Sequence, residues 1–241
     1  MKKICVIATS RATYGYKRKI IQLIKKDKFL KLQVIVTGMH LMKKYGYSIS
    51  ELKKDKVPIS EKIKIFSNMD SNIHFVKGLS KEMSKLSNSF SKLKPDLVLV
   101  TGDRAEMFIA AVTAVYMNIP VAHIQAGDLS GHIDGSVRHA ITKISHIHFA
   151  SCKDSAERVK KMGEQNWRVF NVGAPQLDDL IDLRKNTKIN KKINKLLSQK
   201  YFLIIQHPVL IEKDETYKNF KNTLIATESF KNYKKIIIYP N

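Results

Sequence analysis

Short apolar runs rich in β-branched residues recur along this chain, and each stops at a small or polar turn before a helix-spaced stretch begins. Leu97-Val98-Leu99-Val100 breaks into Thr101-Gly102-Asp103-Arg104, and Pro120-Val121-Ala122-His123-Ile124 breaks into Gln125-Ala126-Gly127-Asp128. Strands that are apolar on successive residues are buried on both faces, the pattern of a parallel sheet. Parallel neighbours need a crossover, and the intervening helical stretches supply it with right-handed chirality. The expected fold class is therefore α/β, built from βαβ units. Such open sheets bind ligands outside the carboxyl ends of their strands. Between residues 97 and 143 those ends gather Asp103, His123, Asp128, His132, Asp134, Arg138 and His139.

The same alternation runs through most of the chain. Strands are predicted at Lys3–Ala8, Leu32–Val36, His146–Ala150 and Arg168–Val172, with helices at Tyr16–Lys26, Asn72–Leu93 and Ala105–Met117. Lys94-Pro95-Asp96 stops the long helix, because the residue before a proline leaves the helical region. A further helix begins about Ser136, and another after Ser151-Cys152-Lys153-Asp154, whose oxygens suit a cap, with Gly163 ending it. The stretch 39–70 gives only a turn near Pro58 and a short extended piece at Ile63–Ile65. Residues 1–182 form the first domain on this reading, and the polar, lysine-rich 183–200 is a linker with an amphipathic helix. A second domain starts at 201 with a strand, a helix over Asp214–Phe230 and a strand at Lys235–Tyr239. Two strands and one helix are too little for a free-standing α/β domain, so 201–241 is expected to be an incomplete one.

Composition removes several classes of function. With 241 residues, 44% hydrophobic and 27% charged, the chain is an ordinary globular one. No apolar run reaches the ~20 residues that span a bilayer. Met1-Lys2-Lys3 leads into Ile4–Ala8, too short for a signal segment, so a cytoplasmic protein without a membrane partner is expected. Cys5 and Cys152 form no CxxC pair, which excludes a disulfide framework or a zinc ribbon and leaves buried, inert thiols as the expectation. The net charge of +22 is spread over scattered lysines, without an RNP motif, C2H2 spacing or basic zipper region, so no specific nucleic-acid partner is expected. Neither GxGxxG nor GxxxxGK[ST] occurs, which argues against a nicotinamide or P-loop site. His146 and His148 on one strand read as core residues, and no metal site is predicted.

Six blocks in one order carry a resemblance. They are Thr9-Ser10-Arg11-Ala12-Thr13-Tyr14-Gly15, Val36-Thr37-Gly38-Met39-His40-Leu41, residues 94–104, Pro120–Ile124, Ile133–Lys143, and Val172-Gly173-Ala174-Pro175. Together they resemble the UDP-N-acetylglucosamine 2-epimerase family, and especially its hydrolysing branch, strongly over about residues 3–182 and more weakly through Gln206-His207-Pro208 to the end. The resemblance implies two Rossmann-like domains of the GT-B type with a UDP-sugar in the cleft between them, no cofactor, and a homo-oligomer when intact. It implies removal of the sugar C2 proton as UDP leaves C1, giving a glycal to which water adds. Proton transfers of this kind need acid/base groups, and the departing diphosphate needs fixed positive charge.

Asp103 and Asp134 match the family's acidic positions and are the acid/base candidates; taken alone, each is also an ordinary cap or turn residue. Gln125 stands where the family usually carries a glutamate, and an amide cannot exchange protons in that role. Asp128, three residues on, either takes over the proton transfer, binds a sugar hydroxyl or caps its loop. Gln125 then marks a branch with a different sugar, such as a diacetylated bacillosamine nucleotide. Arg11 matches an arginine able to grip a diphosphate with its fork. His207 matches a family histidine at the mouth of the second domain, and Arg138 and His139 follow Asp134 as substrate-binding candidates. A GT-B glycosyltransferase and a non-catalytic basic binding fragment are the alternatives.

Overall fold

The computed structural model describes residues 1–66, 71–186, 191–207 and 214–239. The chain divides into two compact units, Met1–Leu183 and Arg184–Asn241. In chain order the first contains β1 (Lys2–Ala8), α1 (Arg11–Lys26), β2 (Leu30–Val36), α2 (Ile49–Lys54), β3 (Glu61–Lys62), α3 (Asn72–Leu93), β4 (Leu97–Thr101), α4 (Ala105–Tyr116) and β5 (Val121–Ile124). It continues through α5 (His132–Ile144), β6 (Ile147–Ala150), α6 (Lys153–Lys161), β7 (Val169–Asn171) and α7 (Gln176–Asn186), the last of which runs across the division between the units. The second contains α8 (Lys191–Leu197), β8 (Tyr201–Ile205), α9 (Thr216–Ala226) and β9 (Lys234–Ile238), and its two strands pair in parallel.

In the first unit the seven strands form one parallel sheet in the order β3-β2-β1-β4-β5-β6-β7. Alternate residues of each strand point to opposite faces. Cys5, Ile7, Val98, Val100 and Val121 pack with Leu86, Phe90, Met107, Ala110 and Ile141 of α3, α4 and α5. Val6, Ala8, Val34, Val36, Leu99 and Ala122 pack with Tyr14, Ile21, Ile24 and Leu52 of α1 and α2 on the other side. Every strand residue among these is buried, which is why the strands read as continuous apolar runs.

The strand order reverses between β1 and β4. From β1 the chain moves outward to β2 and β3, then returns through α3 to β4 and moves outward the other way. A crevice opens at such a switch point, outside the carboxyl ends of the two central strands. Arg11 follows β1 there and Asp103 follows β4.

Two helices begin earlier than the spacing predicts. α1 starts at Arg11 instead of Tyr16, and α5 at His132 instead of Ser136. Each carries a glycine, Gly15 or Gly135, in its opening turns, and glycine is a poor helix former that interrupts the sequence pattern. The consequence is that Asp134 belongs to the first turn of a helix and not to a loop. The expected cap on α6 is also corrected. Its N-cap is Cys152, whose side chain caps no backbone amide, and the Ser151 hydroxyl is spent on Asp128. Cys152 is exposed, contrary to the expectation of two buried thiols, and hydrogen bonds from Ser155 hold its thiol below its ordinary pKa; Cys5 is buried.

Candidate active site

The rim around the switch point is organised by the guanidinium of Arg138. Its α5 position buries it to 7% exposure. Nη2 makes an ion pair with Asp103 Oδ2 and a 2.7 Å bond to Ser130 Oγ, while Nε reaches the same hydroxyl at 3.2 Å and Nη1 reaches the Gln125 carbonyl at 3.2 Å. The Ser130 hydroxyl donates to Asp103 Oδ2 at 2.9 Å. One arginine thus ties the end of β4, the β5–α5 loop and α5 into a single unit. Partly buried charge-assisted bonds of this kind are the strong ones.

The loop after β5 takes its shape from two left-handed residues. Gln125 has φ +64° and Gly127 φ +76°. A Cβ on Gly127 would lie 2.3 Å from the Ser155 carbonyl oxygen, so the loop presses on α6 where only glycine fits. The left-handed Gln125 turns its carbonyl toward Arg138. Three residues on, Asp128 Oδ1 accepts from the Ser151 hydroxyl at 2.5 Å and the Ser155 hydroxyl at 2.6 Å. Asp128 is therefore anchored to the start of α6.

Asp134 stands exposed on the first turn of α5. Burial of its carboxyl and then the neighbouring Asp103 charge raise its pKa, against the lowering influence of Arg104, Arg138 and His132. Arg104 lies on the same rim. Burial opposes its charge, but Glu106, then Asp103 and Asp134, raise its pKa.

The histidines divide clearly. His123 is fully buried, with Nε2 2.8 Å from the Gly102 carbonyl and Nδ1 3.1 Å from the Thr142 hydroxyl, and burial pushes its pKa down to about 3. It is a neutral pin that steadies the turn before Asp103. His139 is half-buried beside Arg158 and Arg138, its pKa lowered first by burial, and its buried Nδ1 has no hydrogen-bond partner among the described residues. His207 follows β8 in the second unit and is exposed there. Arg11 is the exposed first residue of α1. Its backbone is placed by the Ser10 cap, whose Oγ accepts from the Thr13 amide at 3.3 Å while the Ser10 amide reaches Thr13 Oγ1 at 3.2 Å.

Ser130, Ser151, Ser155 and Arg104 are the polar members of this rim that sequence reasoning did not select. A serine in a Ser-Gly loop has no distinguishing spacing, and Arg104 is hidden inside the strand-to-helix turn. Among the described residues no group of His, Cys, Asp and Glu side chains is arranged to hold a metal, and no helix is long and apolar enough to cross a membrane.

The sequence model of the UDP-N-acetylglucosamine 2-epimerase family matches residues 22–241. The chain is 34% identical over 243 residues to the UDP-N,N'-diacetylbacillosamine 2-epimerase (hydrolyzing) of Legionella pneumophila, covering 100% of this chain and 64% of that protein. It is 35% identical to the GDP/UDP-N,N'-diacetylbacillosamine 2-epimerase (hydrolyzing) of Campylobacter jejuni, again over 100% of this chain and 63% of the relative. It thus spans less than two thirds of the length of either. Among solved structures, the Neisseria meningitidis UDP-GlcNAc 2-epimerase bound to UDP-GlcNAc superposes with a TM-score of 0.85 at 20% identity, over 99% of this chain and 66% of that one. Sheet order, rim chemistry and sequence agree, and this chain belongs to the UDP-N-acetylglucosamine 2-epimerase family.

Proposed function

We propose that the protein acts as a hydrolysing 2-epimerase on a UDP-sugar, releasing the free 2-epimeric sugar and UDP. The observation that carries this reading is the Asp103–Arg138 ion pair with Asp134 beside it at the β1/β4 switch point. A carboxylate removes the C2 proton as the C1–O bond to UDP breaks, leaving a C1–C2 double bond. Water then adds its hydroxyl to C1 and a proton returns to C2 on the opposite face. Asp103, Asp134, Asp128 and His207 supply the acid/base set in this scheme. Arg11 meets the diphosphate at the amino end of α1, where helix amides add positive potential. Gln125, Arg138 and His139 contact or orient the sugar.

Two relatives named for diacetylbacillosamine nucleotides favour a UDP-diacetamido sugar over UDP-N-acetylglucosamine. Gln125 agrees with this, since an amide at that position suits hydrogen bonding to a substituent and not proton transfer. Incubating the protein in D2O with each nucleotide sugar is the test. Release of UDP with an epimerised free sugar bearing deuterium at C2 is the expected result, and Asp103→Asn and Asp134→Asn should each reduce it by roughly 10²-fold or more. UDP release that requires an acceptor, with no deuterium at C2, would replace this reading by glycosyl transfer.

A further inference from the structure

Ser130 touches Asp103 and the helix that carries Asp134, yet the reaction scheme gives it no part. A hydroxyl has one proton to donate and two lone pairs with which to accept. The Arg138 guanidinium can only donate, and it fills the acceptor capacity of Ser130 Oγ with two N–H groups, from Nη2 at 2.7 Å and from Nε at 3.2 Å. The hydroxyl proton is thereby committed to Asp103 Oδ2, 2.9 Å away. Ser130 has no hydrogen bond left to offer a substrate. The same Oδ2 also accepts from Arg138 Nη2. A carboxylate oxygen accepts at about two positions, so both positions on Oδ2 are occupied. Among the described residues nothing bonds Oδ1, and the Asp103 side chain is 23% exposed. The oxygen open to an incoming proton is therefore Oδ1. The backbone of Ser130 bears on the helix of the other acid. α5 carries Asp134 in its first turn and opens at Gly131 without a side-chain cap. His132 at its first position has φ +55°, a left-handed conformation that a residue other than glycine keeps only where its surroundings hold it. The Ser130 carbonyl oxygen lies where a Cβ on Gly135 would come within 2.7 Å of it. Ser130 thus meets α5 at two points, Gly135 and Arg138, and meets Asp103 at one.

We propose that Ser130 is a further positioning residue of this site, a latch that sets Asp103 against α5 and leaves Oδ1, and not Oδ2, to take the proton. The catalytic part of this statement rests on the epimerase reading given above, while the latch itself does not. A reacting group displaced by about 1 Å can lose roughly 10²-fold in rate. Bonds from a planar guanidinium and a hydroxyl to one carboxylate oxygen hold the Asp103 side chain in one orientation.

The test joins a measurement without sugar to one with it, both on the 241-residue protein. The first follows exchange of the Arg138 Nε–H with solvent in 15N–1H spectra, with the signal assigned through Arg138→Lys. Ser130 Oγ is the partner of that group, so Ser130→Ala should speed its exchange by roughly tenfold. Ser130→Thr, which keeps the hydroxyl, should stay within about threefold of the wild type. The second is turnover of the nucleotide sugar. Ser130→Ala should lower kcat by roughly tenfold with KM within about twofold, because a residue that orients the base without touching the sugar acts on the transition state alone. Ser130→Thr should recover most of that loss. Exchange in folded Ser130→Ala within about twofold of wild type, or Ser130→Thr exchanging as fast as Ser130→Ala, would overturn the latch. Faster exchange with unchanged kcat, or a rise in KM alone, would overturn the positioning role. A wild-type protein that turns over no nucleotide sugar would sink the epimerase reading, and the exchange measurement would still decide the latch.

Discussion

Glu82 shows how one buried side chain makes stability depend on pH. Its folded-state pKa is about 9, against an ordinary value of 4.5. A raised carboxyl pKa means that folding takes up a proton between those values. The folded state therefore bears no penalty from this group below pH 4.5, loses stability as the pH rises from 4.5 to 9, and loses no more above that. Glu82→Gln removes the proton requirement, so it should stabilise the protein at pH 7 by on the order of 3 kcal/mol, with the gain vanishing as the pH falls to 4.5. Urea denaturation of both forms at pH 4.5 and pH 7 reads the difference; an equal effect at the two pH values would contradict it. None of this was visible in the sequence, where Glu82 is one polar residue on a helix whose apolar positions set the pattern. Burial of an acid depends on what α3 lies against, and that is a tertiary fact.

At the scale of the element, the site depends on where helices begin. α1 opens directly after β1 because Ser10 and Thr13 satisfy each other's backbone amides, a capping box with threonine in the place usually taken by an acid or amide. Ser10→Ala should cost about 1 kcal/mol, seen as a lower urea midpoint at unchanged slope. An unchanged midpoint would mean that packing alone starts the helix. The sequence pattern located the strands well, since parallel strands are apolar throughout and their turns are abrupt. It placed the starts of α1 and α5 several residues late, because Gly15 and Gly135 break the helical periodicity; the Ser10–Thr13 cap holds the first turn of α1, whereas α5 opens at Gly131 without a side-chain cap. That error mattered at Asp134, whose place on a helix face, and not in a free loop, decides which neighbours act on its carboxyl.

For the molecule as a whole, charge is the dominant long-range property. A net charge of +22 spread over the surface draws in anions from beyond contact distance, and the UDP-sugar proposed above is an anion. The association rate with a UDP-diacetamido sugar should fall by about tenfold as salt rises from roughly 10 to 150 mM, as the Debye length shortens. Stopped-flow measurement of that rate decides it, and a rate indifferent to salt would remove any steering role for the lysines. The sequence by itself determined the α/β class, the chain order of strands and the presence of acids and arginines after β1, β4 and β5, because these depend on local periodicity and turn chemistry. Only the tertiary structure decided that Arg138 joins Asp103, Ser130 and Gln125, that His123 is a neutral pin, and that Glu82 is buried. Those relations join residues distant in the chain, and they arise from crossovers that bring separate strand ends to one rim, which no local pattern encodes.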